Sequence, residues 1–186
     1  MLEKIIALDK SLFLFLNNLG SETYDGFWQF VTKQIHWIPL FVLILYLIFK
    51  KINLKSLLFM LLFVVILITF VDQTTNLIKY LVERLRPCSD PELTGKMRAV
   101  IVRNSFGYFS GHASNSMATT VFIYLIFRKY YKFGFLVFIF PLVFAYSRIY
   151  LGLHFPLDIL SGYVFGGLSG LGFYWVYKKY ILKPSN

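Results

Sequence analysis

The sequence predicts an all-α fold: a polytopic membrane helix bundle of about five transmembrane helices, preceded by an N-terminal amphipathic helix lying in the interface. Three observations predict it. Hydrophobic residues make up 58% of the 186 residues and aromatic residues 20%, with a mean hydropathy of +0.65. A soluble domain of this length cannot bury so much apolar surface, so the excess faces lipid. Long apolar runs alternate with polar segments along the chain. Basic residues gather at alternate ends of those runs: Lys50, Lys51 and Lys55, then Arg128, Lys129 and Lys132, then Lys178, Lys179 and Lys183. The positive-inside rule puts these three ends in the cytoplasm. The net charge of +10 is therefore topological in origin and gives no argument for a nucleic-acid partner.

In chain order, Leu2 to Leu19 sets Leu2, Ile5, Ile6, Leu12, Phe13, Leu16 and Leu19 between Glu3, Lys4, Asp9 and Lys10. Charges so central suit a helix in the interface; a sixth span is the alternative. Gly20 to Asp25 reads as a loop, followed by a short aromatic helix around Phe27 to Val31. Residues 1–34 thus form an interfacial region, and 35–181 the transmembrane bundle of a single domain, 1–186. The spans expected are Ile35 to Phe49, Leu57 to about Tyr80, Ser110 to Phe127, Phe133 to about Tyr146 with a kink at Pro141, and Pro156 to Tyr177. The polar loops Arg84 to Phe109 and Arg148 to Phe155 fall on the outer side, and their basic residues are read as chemical. One cysteine, Cys88, excludes an internal disulfide and a multi-cysteine metal site. Glu3 and Asp9 interrupt any cleavable signal, so the first span is expected to target the chain itself.

Three stretches at the outer edge carry polar groups that lipid would not tolerate. In the second span, Asp72, Asn76, Lys79, Glu83 and Arg86 recur every three or four residues, which aligns them on one face of a continuing helix. A buried charge costs about 2.5–3.5 kcal/mol on insertion scales, so this stripe should face a polar cavity. Mutual pairing of Asp72 and Glu83 with Lys79, without chemistry, is the alternative. The third span opens at Phe109-Ser110-Gly111-His112, where Ser110 is a good N-cap and Gly111 lets backbone amides approach an anion. Ser110 near a histidine also raises serine hydrolysis, but no G-x-S-x-G elbow accompanies it. The third stretch, Ser147 to Asp158, holds Arg148, a forked cation suited to oxyanions, and His154, with Asp158 able to hold one of its ring nitrogens. Ordinary capping and a polar loop with an interfacial histidine are the plain readings of these last two stretches. Gly162, Gly166 and Gly170 share a face with Asp158 and suit close helix packing inside the bundle, with dimerisation as the alternative.

Taken together, Lys79-x6-Arg86-Pro87, Ser110-Gly111-His112 and Ser147-Arg148-x5-His154-x3-Asp158 resemble the type 2 phosphatidic acid phosphatase family, which includes the vanadium haloperoxidases. Phe109 departs from the proline usual before Ser-Gly-His, which leaves the path into that helix open. The resemblance implies that His154 attacks phosphorus to form a phosphohistidine, Asp158 orients it, and His112 protonates the leaving oxygen. Lys79, Arg86 and Arg148 would bind the phosphoryl oxygens, with Ser110 and Gly111 completing the cradle. It implies no metal and no cofactor, a phosphorylated lipid as substrate, and a bacterial inner membrane with the site on the periplasmic side. Undecaprenyl pyrophosphate, phosphatidylglycerophosphate, phosphatidic acid and the phosphate of lipid A are the substrates it suggests, with undecaprenyl pyrophosphate the one favoured. A lipid-to-lipid phosphotransferase and a non-enzymatic lipid transporter are the competing functions.

Overall fold

The computed structural model describes residues 1–181, so Lys183, counted above with the last basic cluster, lies outside the described residues. Seven α-helices make up the described chain: α1 (Leu2–Asn18), α2 (Glu22–Val31), α3 (Ile38–Phe49), α4 (Leu54–Val82), α5 (Gly111–Phe127), α6 (Ile139–Tyr150) and α7 (Pro156–Tyr180). Among the described residues there is no strand, and the fold is the all-α membrane bundle that composition predicts. α4 and α7 are each long and apolar enough to cross a membrane, and Glu22–Val31 with Gln34–Phe49 makes a third candidate span, bent by 69°. The stretch expected as the first span, Ile35 to Phe49, is therefore one half of that bent pair. A 3-10 turn at Gln34–Trp37 leads into α3, whose first turn carries Pro39. Its 12 residues rise only about 18 Å, short of the ~30 Å hydrocarbon core.

The bundle is organised on α5, which packs against α4, α6 and α7 and buries Ala113, Ala118, Phe122 and Ile126. α7 approaches it most closely. A Cβ at Gly162 would stand 2.8 Å from the Ser110 carbonyl oxygen, and Cβ atoms at Gly166 and Gly170 would collide with the carbonyls of Ser114 and Ala118. The glycine stripe is thus filled from within the chain, by α5. We expect Gly166→Val to destabilise the bundle by about 1–3 kcal/mol or more, because the obstructing atoms are backbone and cannot swing aside. Thermal inactivation in detergent would measure it, and an unchanged midpoint would contradict this packing.

Several local expectations change. α4 stops at Val82, and Glu83 caps it in the left-handed region at φ 51°. Arg86 is extended, as the residue before Pro87 must be, so the polar stripe is helical only as far as Lys79 and Glu83 is left exposed. Arg148 lies inside α6, in its last turn, and the loop proper is only residues 151–155. Pro141 sits in the first turn of α6 and makes no kink there; the break is the 3-10 stretch Gly134–Phe138 before it. α1 shows lipid Leu2, Leu8 and Phe15, but Asp9, Phe13 and Asn17, spaced by four, are buried. Asp9 is only 3% exposed, so one of the charges read as interfacial points into the protein.

Candidate active site

The loop between α6 and α7 determines the site. Gly152 adopts φ +81°, which a residue with a side chain rarely does, and any Cβ there would strike Met97. The tight turn lets the amides of Leu153 and His154 both donate to the Arg148 carbonyl, at 2.9 and 3.3 Å. His154 is thereby turned back into the protein, 1% exposed. Pro156 starts α7, and Asp158 in its first turn accepts the Phe155 amide at 2.9 Å through the same oxygen that faces His154 Nδ1 at 3.3 Å.

The other ring nitrogen settles the tautomer. His154 Nε2 lies 3.0 Å from Nη1 of Arg86, and a guanidinium can only donate. Nε2 must then accept, so the proton sits on Nδ1 and points at Asp158. Burial, and then the charges of Arg86, Arg148 and Lys79, hold the imidazole pKa well below its ordinary range. The ring is neutral, with its lone pair on Nε2, on the side away from Asp158, where it accepts from Arg86. That is the state a nitrogen nucleophile requires.

His154 borders a cavity of about 460 Å³, lined also by Lys79, Arg86, Gly111, His112 and Arg148. Six of the eight residues singled out in the sequence therefore meet on one wall system. Asp158 is wholly buried behind His154. Ser110 is also wholly buried and is not part of the lining: its Oγ accepts the Ala113 amide at 3.4 Å as the N-cap of α5, and its own amide donates to the Asp158 carbonyl at 3.0 Å. Ser110 thus ties α5 to α7, even with Phe109 before it. Gly111 leaves the start of α5 open, since a Cβ there would stand 3.6 Å from Lys79 Nζ.

The cations are held differently. Arg86 donates to the carbonyls of Ser105 at 2.8 Å and Leu153 at 3.0 Å, so its position is fixed by backbone. Arg148 donates through Nη1 to Thr32 Oγ at 2.6 Å, while its buried Nε has no partner among the described residues. Lys79 makes no ion pair among the described residues, although Asp72 lies on the same helix face; Asp72 instead accepts from Asn76 and Asn115. His112 is the second residue of α5, nearer its start than one full turn, and its ring stacks on Phe144 with centroids 5.3 Å apart.

Sequence reasoning missed five contributors, from three places in the chain. Arg103 and Ser105 come from the long polar loop, which has no period to mark them. Thr32 and Gln34 come from the bend before α3, with no charge to draw notice. Arg84 donates to Asp158 Oδ1 at 2.7 Å and to Asp9 Oδ2 at 2.6 Å; the out-of-place Asp9 in an apolar helix was the available signal.

A second cavity of about 350 Å³ adjoins the first, sharing Gln34, His112 and Asn115. Its remaining walls are mostly apolar, including Ile44, Met60, Val64, Ile68 and Phe144. One room is cationic, the next is greasy, and His112 stands between them.

Known proteins resemble this chain in sequence and in fold. The lipid A 4'-phosphatase of Bacteroides thetaiotaomicron is 35% identical over 184 residues, covering 96% of this chain and 81% of that protein. An undecaprenyl-diphosphatase of Sulfolobus acidocaldarius is 28% identical over 167 residues, covering 88% and 76% respectively. The crystal structure of a transmembrane PAP2 type phosphatidylglycerolphosphate phosphatase from Bacillus subtilis superposes with a TM-score of 0.73 at 21% identity, over 98% of this chain and 90% of that one, and so shares the fold. Residues 53–182 match the PAP2 superfamily, a stretch that holds all three motifs and every helix from α4 to α7. With that match over more than half of its length, the chain belongs to the PAP2 superfamily.

Proposed function

We propose that this integral membrane protein is a lipid phosphatase that works through a phosphohistidine on His154. The observation that carries the reading is the neutral His154 at the border of the cation-lined cavity, its Nε2 accepting from Arg86 and its Nδ1–H turned to Asp158. Nε2 attacks phosphorus in line, the N–P bond forming as the bond to the lipid oxygen breaks. His112 gives the departing oxygen its proton. Water then attacks phosphorus, passing a proton to His112, and the N–P bond breaks to release phosphate and regenerate the neutral ring. Asp158 balances the positive charge of the phosphorylated imidazole, and Lys79, Arg86 and Arg148 balance that of the phosphoryl oxygens. Ser110 serves by capping α5, which presents the Gly111 end of the helix to the anion.

The apolar cavity beside the cationic one supports an amphiphilic substrate. The 35% identity to a lipid A 4'-phosphatase favours a phosphate monoester on a glycolipid over undecaprenyl pyrophosphate. Asp72 and Asn115, below the cradle, offer acceptors that a sugar's hydroxyl or amide groups can use and a polyprenyl chain cannot. The test is phosphate release by purified protein from lipid A, undecaprenyl pyrophosphate, phosphatidylglycerophosphate and phosphatidic acid. Hydrolysis of none of them would overturn the reading, and release of phosphate to a second lipid instead of water would make the protein a phosphotransferase.

Among the described residues, no three His, Cys, Asp or Glu side chains converge as metal ligands, and the cavity's cations supply the charge a metal would. We therefore expect activity to survive EDTA, vanadate to inhibit competitively, and Arg148→Lys to weaken turnover and vanadate inhibition together, by about tenfold or more. Loss of activity in EDTA that magnesium restores would count against the mechanism. The basic clusters at Lys50 and Lys129 support a site on the outer face. With Cys88 replaced, a cysteine at Lys96 should react with an impermeant reagent from outside and one at Lys129 should not; the reverse pattern would invert the topology.

A further inference from the structure

The N-terminal helix grips the loop that carries the nucleophile. Asp9 of α1 is 3% exposed and accepts two donors, Arg84 Nη2 at 2.6 Å and the Leu157 amide at 2.8 Å. The other terminal nitrogen of Arg84 donates to Asp158 Oδ1 at 2.7 Å. The guanidinium also lies over the Phe155 ring, 4.2 Å from its centroid, and Phe13 of α1 meets that ring edge-on at 5.3 Å. Further along the same face, Asn17 donates to the carbonyls of Ile149 and Tyr150 at 3.1 and 2.9 Å. Asp9, Phe13 and Asn17 thus hold the end of α6, residue 155 and the first turn of α7. α1 precedes the residues, 53–182, over which the chain matches its family.

We propose that Arg84, held by Asp9, is a positioning residue that fixes the tautomer of His154. The argument rests on the nucleophile assigned above. Asp158 is wholly buried and has two oxygens to satisfy. Oδ2 is taken by the Phe155 amide and His154 Nδ1, and the 3.3 Å separation from the ring leaves that contact weak. Oδ1 has Arg84. Removing the guanidinium leaves a buried carboxylate without its counter-charge, which turns or takes up a proton. Asp158 then no longer holds the ring in place, so the ring can turn away from Arg86 Nη1, its other partner, and carry its proton on Nε2. A ring protonated there has no lone pair for phosphorus. Asp9 completes the device, because a planar fork bonded to two carboxylates has one orientation only.

The test reads the tautomer directly. The protein has three histidines, so 15N-histidine spectra of the full-length protein in micelles, assigned with His36→Gln and His112→Asn, isolate His154. Wild type should show a neutral ring protonated on Nδ1. Arg84→Gln should lose that single form, and kcat on the lipid that wild type hydrolyses best should fall roughly ten- to a hundredfold while KM changes by less than about twofold. Asp9→Asn, which keeps Arg84, should shift both readouts in the same direction by less, and it decides the matter if Arg84→Gln does not fold. A folded variant that keeps the Nδ1–H form unchanged overturns the proposal, whatever its activity. Should wild type hydrolyse none of the lipids, the functional reading fails while the spectra still decide the role of Arg84.

Discussion

His154→Ala should abolish turnover, lowering kcat by several orders of magnitude, while the protein still folds and still binds lipid. The loss follows from the chemistry: no other side chain in the cavity presents an unprotonated nitrogen held by a carboxylate behind it. Folding should survive because each neighbour keeps other partners. Arg86 retains the carbonyls of Ser105 and Leu153, and Asp158 retains Arg84 and the Phe155 amide. The variant forfeits two hydrogen bonds and some packing, a cost on the order of 1–3 kcal/mol. Phosphate release by purified protein, set beside its thermal inactivation midpoint, checks both halves. More than a few per cent of normal activity in a homogeneous, folded sample would remove His154 from the nucleophile's role. A phosphorylated intermediate, acid-labile and base-stable, should likewise be trapped from wild type and be missing from the variant.

Much of this site could be read in the sequence because lipid punishes stray polarity. A lysine at position 79 of an apolar helix, or a histidine beside Gly111, has few tolerable explanations, and each was found on the cavity wall. The bundle was legible for the same reason, as was the glycine stripe, whose spacing aligned it with Asp158 and whose partner is α5. The shape of the first span was not legible. Hydropathy sums over a window and cannot see the 69° bend between α2 and α3. Nor could it end α4 at Val82, since the decision belongs to the left-handed Glu83 and to Pro87 beyond it. Ser110 was assigned to the cradle because its hydroxyl suits an anion, yet the same hydroxyl suits a helix cap, and the cap is where it lies. Asp9 was the costliest misreading. A charge among apolar residues suits an interfacial helix, and only tertiary contact with Arg84 shows that this one points inward.

Arg86→Gln should lower kcat/KM by about a hundred- to a thousandfold, the loss usual when one fixed donor to a developing oxyanion is removed. Of the cations in the cavity, Arg86 alone touches the nucleophile, at 3.0 Å, and its Nε and Nη1 are anchored on the backbone carbonyls of Ser105 and Leu153. It is therefore preorganised where the phosphoryl group must sit, and reorienting it costs the reaction nothing. Lys79, on a flexible stem, and Arg148, tied through Thr32 to the bend before α3, are placed less rigidly. Glutamine keeps a donor for one of the two carbonyls, so folding should be preserved better than with alanine. Vanadate inhibition should weaken in parallel with turnover, since both depend on charge at the same point. The pH dependence should change as well: the Arg86 charge is among the causes that depress the His154 pKa, so its removal should raise that pKa and move the acid limb of kcat/KM to higher pH. A variant within tenfold of wild type, with an unmoved acid limb, would shift the weight of charge neutralisation onto Lys79, Arg103 and Arg148 and leave Arg86 a structural anchor for the loop at Ser105.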